Sequence, residues 1–90
     1  MEISEKNKQK ISEHILAYLY SINPRAVFTI QIAQELVRDE EFIKQLLINL
    51  KKKGLVVEIN KNSKGTPYLK RRRWQLSDKV YRTYKLIQQK

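Results

Sequence analysis

Lys70, Arg71, Arg72 and Arg73 run consecutively into Trp74, and Lys61 and Lys64 stand a few residues before them. A guanidinium is a planar fork that meets phosphate or carboxylate oxygens two at a time, and an ammonium adds a compact point charge. The chemistry on offer is therefore anion binding. Catalysis has no comparable cluster. The chain contains no cysteine and one histidine, His14, which excludes disulfides, thiol nucleophiles and a cysteine/histidine zinc site. No serine/histidine/acid arrangement, phosphate-cradling glycine loop or metal-ligand cluster is present. Glu40 and Glu41 are adjacent, so on a helix their side chains diverge and cannot act as an acid/base pair across a substrate. The expectation is a protein that is not an enzyme and has no catalytic residue, cofactor or metal.

The distribution of charge says more than its total. The net charge of the 90 residues is +10, yet residues 1–50 hold six Lys/Arg against seven Asp/Glu, while residues 51–90 hold thirteen against two. The two parts carry −1 and +11. Such segregation repels itself unless counterions or a polyanion neutralise it, and nucleic acid is the commonest polyanion. At 41% hydrophobic and 31% charged residues the composition is that of a globular chain. Its length suits one domain with a modest core, which dimerisation would reinforce. The longest apolar run, Ile15 to Tyr20, is too short to cross a bilayer and no charged-then-apolar leader precedes it, so the expectation is a cytoplasmic protein.

Several elements must position the basic run. Ile11, Ile15, Leu19 and Ile22 recur at helical spacing, flanked by Leu16 and Tyr18, and predict a first helix from about Ser4 to Ser21. Asn23-Pro24 stops it. Ala26 to Phe28 is a short extended piece, and Thr29 is the expected N-cap of a second helix that buries Ile32, Ala33 and Leu36. After a break at Val37 and Arg38, Asp39 caps a third helix, with Glu40 and Glu41 at its positive end. Ile43, Leu46, Leu47 and Leu50 form its inner stripe. Lys51 to Lys53 suit its negative end, and Gly54 its stop. The period then falls to two over Leu55 to Ile59, which predicts a strand. Asn60 to Gly65 has turn chemistry, Tyr68 to Leu76 is the returning strand, and Ser77 caps a last helix with Val80, Tyr81, Tyr84 and Ile87 on its apolar side.

This order of elements, and the stretch "TIQIAQELVRDEEFIKQLLINLKKKGLV" from Thr29 to Val56, resemble the winged helix-turn-helix superfamily, most closely its MarR-like and ArsR-like regulators. "WQLS" followed by "DKVYRTY" is similar to that group's junction between wing and last helix. The resemblance implies an α+β fold over residues 1–90: a three-helix core with a two-stranded basic wing and a C-terminal helix. The helix-turn-helix would cover about 29–53, the wing about 55–76 and the last helix about 77–89. It further implies a transcription regulator bound to double-stranded DNA, nucleoid-associated if prokaryotic, and a homodimer joined by its terminal helices.

In the family resembled, the third helix enters the major groove. Outward positions here are Glu40, Glu41, Lys44, Gln45, Ile48 and Asn49. Gln45 and Asn49 have the amide chemistry that reads adenine, and Lys44 suits phosphate or guanine, whereas the acids at the helix start oppose a duplex. On the wing, strand alternation places Trp74 and Leu76 inward and Arg71 and Arg73 outward, with Arg72 snorkelling from the inner face. Lys61, Lys64, Lys70, Arg71, Arg72 and Arg73 are the expected phosphate contacts. Protection of a sheet edge by cations and a localisation signal are the alternatives for the run. RNA, including a ribosome-associated role, or a docked protein are the alternative partners.

Overall fold

A computed structural model describes residues 4–59 and 72–88. Lys61, Lys64, Lys70 and Arg71, with the turn expected between the wing strands, lie outside the described residues. The order is α1 (Glu5–Ile22), β1 (Val27–Phe28), α2 (Thr29–Leu36), α3 (Glu40–Lys52), β2 (Val56–Ile59), β3 (Arg73–Leu76) and α4 (Asp78–Gln88). Local chemistry sets most of the boundaries. Ser4 Oγ accepts from the Asn7 N–H at 3.2 Å, Asp39 Oδ2 from the Phe42 N–H at 3.0 Å and Ser77 Oγ from the Val80 N–H at 3.3 Å. Each satisfies one early donor that has no partner within its helix.

The start of α2 differs from expectation. Phe28, not Thr29, is the N-cap, and its N–H donates to Gln31 Oε1 at 2.8 Å. Thr29 is instead buried, and its hydroxyl oxygen accepts the indole N–H of Trp74 at 2.8 Å. A buried indole donor needs a partner, and this one takes the hydroxyl that a cap would otherwise use.

The stops of α2 and α3 share one geometry. After α3, the Leu55 N–H bonds Leu50 O and the Gly54 N–H bonds Lys51 O, with Gly54 at φ 77°. After α2, the Arg38 N–H bonds Ala33 O and the Val37 N–H bonds Gln34 O, with Val37 at φ 54°. These are paired 6→1 and 5→2 closures around a left-handed residue.

Among the described residues the sheet has three antiparallel strands in the order β1-β3-β2, so the wing pair expected from the sequence gains β1 as a third strand. Val27 opposes Trp74 and Phe28 opposes Arg73, while on the other side Val56 opposes Leu76 and Glu58 opposes Trp74. Gln75 Nε2 also donates to Pro24 O at 2.6 Å, tying the central strand to the turn after α1. Beneath the sheet lies one core. Ile15 and Leu19 of α1, Ile32 of α2, Ile43 and Leu47 of α3, Val56 and Trp74 are essentially without solvent exposure. α4 folds back so that Tyr81 and Tyr84 each stand 5.4 Å, ring centre to ring centre, from Tyr20 of α1. Among the described residues no helix is long and apolar enough to cross a membrane.

Candidate nucleic-acid interface

α3 presents a mixed face. Glu40, Glu41, Gln45 and Asn49 are exposed, whereas Lys44 and Ile48 are half-buried. Ile48 was expected outward but packs against the edge of the core. Its apolar side chain gains more from that contact than from water. The acids at the helix start already have local work: Asp39 caps the helix, and Glu41 Oε1 accepts from Gln45 Nε2 at 3.3 Å. That bond occupies part of the amide expected to read bases.

The structure brings Lys44 together with the wing side. A cavity of about 380 Å³ opens between the start of α2 (Phe28, Thr29, Ile30), the first turns of α3 (Glu40, Glu41, Lys44) and Arg72. Lys44 and Arg72 thus face one crease from two elements, with the Glu40 and Glu41 carboxylates on the same wall. Asn49 is elsewhere. It lines a second depression, with Lys53, against Glu5, Lys8, Gln9 and Ser12 of α1. Five residues along a helix turn a side chain by about 140° relative to Lys44, which is why the two do not share a surface.

Arg72 meets Glu58. The Arg72 Nε–H donates to Glu58 Oε2 at 3.2 Å, and Lys51 Nζ, from the last turn of α3, meets Glu58 Oε1 at 2.9 Å. The Glu58 side chain is only 10% exposed, so it draws the two cations to one sheltered carboxylate. Periodicity does not reveal this cluster, because Lys51, Glu58 and Arg72 lie at the end of α3, on β2 and before β3, and only the folded chain brings them together. An acid at an inward-facing strand position, Glu58 beside Val56, is the signal that could have pointed to it.

Trp74 and Leu76 are buried as expected, at 0% and 3% exposure. Arg73 occupies the opposite face, half-buried, and its strand neighbours are Phe28 on one side and Ile59 on the other. Because β3 is central, edge protection does not account for Arg73. Among the described residues no group of three His, Asp or Glu could hold a metal ion.

Neither a protein-family model nor a curated protein sequence matches the chain. Solved structures do. A mutant of MepR from a multidrug-resistant Staphylococcus aureus isolate superposes with a TM-score of 0.68 at 23% identity over 86% of this chain, which spans about half (53%) of that one. The S. aureus MepR–DNA complex gives 0.71 at 21% identity, covering 93% of this chain and 69% of that chain. The Zalpha domain of Carassius auratus PKZ, in complex with Z-DNA, gives 0.61 at 20% identity, covering 78% of this chain and 97% of that domain.

The fold is a winged helix-turn-helix. Within it α2 and α3 are the helix-turn-helix, with Val37 in their turn, and β2 and β3 are the strands of the wing. The crease that holds Lys44 and Arg72 therefore lies between the third helix and the wing.

Proposed function

We propose that this winged helix binds double-stranded DNA and regulates transcription. The observation that carries the reading is the union of fold and charge: the wing and last helix, with the last two residues of α3, belong to the part of the chain that holds +11, and α1, α2 and the rest of α3 to the part that holds −1. DNA in the solved MepR complex, and Z-DNA in the Zalpha complex, support a nucleic-acid partner for the same architecture.

In this reading Lys61, Lys64, Lys70, Arg71 and Arg73 supply the phosphate contacts. Lys44 and Gln45 supply what base readout there is, with Asn49 one turn beyond Gln45 on the side toward α1 and away from Lys44. Two copies associate through α1 and α4, where Leu86 and Ile87 are exposed at 68% and 59%. The protein works inside the cell, as DNA regulation requires.

The test is fluorescence anisotropy of a labelled random duplex of about 30 base pairs across a salt series. About five neutralised phosphates per chain give a slope of log affinity on log salt of roughly −4 to −5, about doubled for a dimer. Arg71→Ala with Arg73→Ala should flatten the slope by about two per chain. A flat wild-type response overturns the reading. Dominant competition by structured RNA replaces DNA with RNA as the partner. Stronger competition by a left-handed cytosine–guanine duplex than by the random one moves the target to Z-DNA.

A further inference from the structure

Residues 51–90 contain two acids, Glu58 and Asp78, and the structure treats them in opposite ways. Asp78 is 72% exposed and pairs with Arg82 one turn along its own helix, an arrangement that water screens heavily. Glu58 is 10% exposed and joins three elements: its own strand β2, the end of α3 through Lys51, and the entry to β3 through Arg72. A sheltered carboxylate acts through a lower dielectric than an exposed one, so its hold on both cations is stronger and less salt-sensitive. Both cations stay accessible, at 53% and 46% side-chain exposure, and Arg72 borders the crease between third helix and wing. They are therefore within reach of an approaching phosphate, yet already committed.

Building on the DNA-binding reading above, we propose that Glu58 is a positioning residue of that interface: it fastens the wing to the third helix and withholds Lys51 and Arg72 from the phosphate backbone. Its effect is to lower sequence-blind affinity while leaving the outer wing cations to engage DNA. Each phosphate-neutralising cation contributes about 0.9 to the salt slope, so Glu58 suppresses about 0.9–1.8 of it.

The test uses the full chain and a random duplex. Glu58→Gln keeps the side chain's size and removes its charge. The expected slope is steeper than wild type by about 0.9–1.8, which is up to about tenfold in affinity over a fourfold change in salt. Adding Lys51→Met and Arg72→Met to Glu58→Gln returns the slope to the wild-type value, a rescue that loss of a merely structural contact does not produce. Arg72→Met alone, which leaves Lys51 on Glu58, keeps the wild-type slope and tests the idea even if Glu58→Gln fails to fold. A Glu58→Gln slope equal to wild type, or a loss of about 0.9 in Arg72→Met, overturns the proposal while leaving DNA binding intact. Salt-independent wild-type binding overturns the DNA reading itself, and this inference with it.

Discussion

Trp74 and Thr29 hold each other across 45 positions of chain, through a buried hydrogen bond of 2.8 Å between indole and hydroxyl. Thr29→Val keeps the shape of the side chain and removes the acceptor. It should lower stability by about 1–3 kcal/mol, measured by urea denaturation, because the indole donor is left buried without a partner. Since Trp74 is the only tryptophan, its fluorescence reports the change directly. Asp39→Ala removes a cap and should lower stability by about 1 kcal/mol in the same assay. Replacing Glu40 and Glu41 by lysine tests function at this scale. If the crease meets DNA, duplex affinity should rise and the salt slope steepen; in a protein-docking module, partner binding is lost instead. The caps at Asp39 and Ser77 were legible in the sequence because donor and acceptor lie three residues apart, whereas Ser4 was expected as the first helical residue and caps the helix instead. The role of Thr29 was not, since its partner is fixed only by the way β3 crosses the molecule. Glu58 was hidden for the same reason: its two cations belong to other elements.

At the scale of elements, α2 and α3 end in the same hydrogen-bonded closure with different residues at the left-handed position, Val37 and Gly54. A β-branched residue there is strained by about 1–2 kcal/mol, and glycine is not. The Val37 side chain is 85% exposed, so it gives back little through packing. Val37→Gly should therefore raise stability by about 0.5–1 kcal/mol after the extra flexibility of the unfolded chain is subtracted, read as an increase in Tm. Gly54→Ala should act the other way by about 1 kcal/mol. A Cβ at that position meets no atom within 4 Å, so backbone conformation is the sole source of the loss. Helix positions and the inward stripe of α3 were readable from spacing, since Ile43, Leu46, Leu47 and Leu50 are all buried. The third strand was less so. Two residues, Val27 and Phe28, are too few to show a period, and their pairing with β3 depends on a register that only the folded chain sets.

For the molecule as a whole, the separation of charge is the governing property. A +11 part folded onto a −1 part repels itself, so stability should increase as salt screens the basic side. Raising salt from about 0.05 to 0.5 M is expected to raise Tm in the absence of DNA and to weaken DNA binding, opposite responses from one set of charges. If α1 and α4 form the dimer, Leu86→Glu with Ile87→Glu should halve the molar mass seen by light scattering without lowering the monomer's Tm, because both side chains are exposed in the single chain. The central place of β3 also bears on how the protein is born. Among the described residues neither β1 nor β2 has a strand partner until Arg73 to Leu76 have been made, and Phe28 must wait for Arg73, 45 residues behind it in synthesis. At ordinary translation rates that wait is about 2–9 seconds. All three helices are complete only at Lys52, and Trp74 follows 22 residues, or about 1–4 seconds, later; for that time their apolar face is open to other chains, with no indole to fill it.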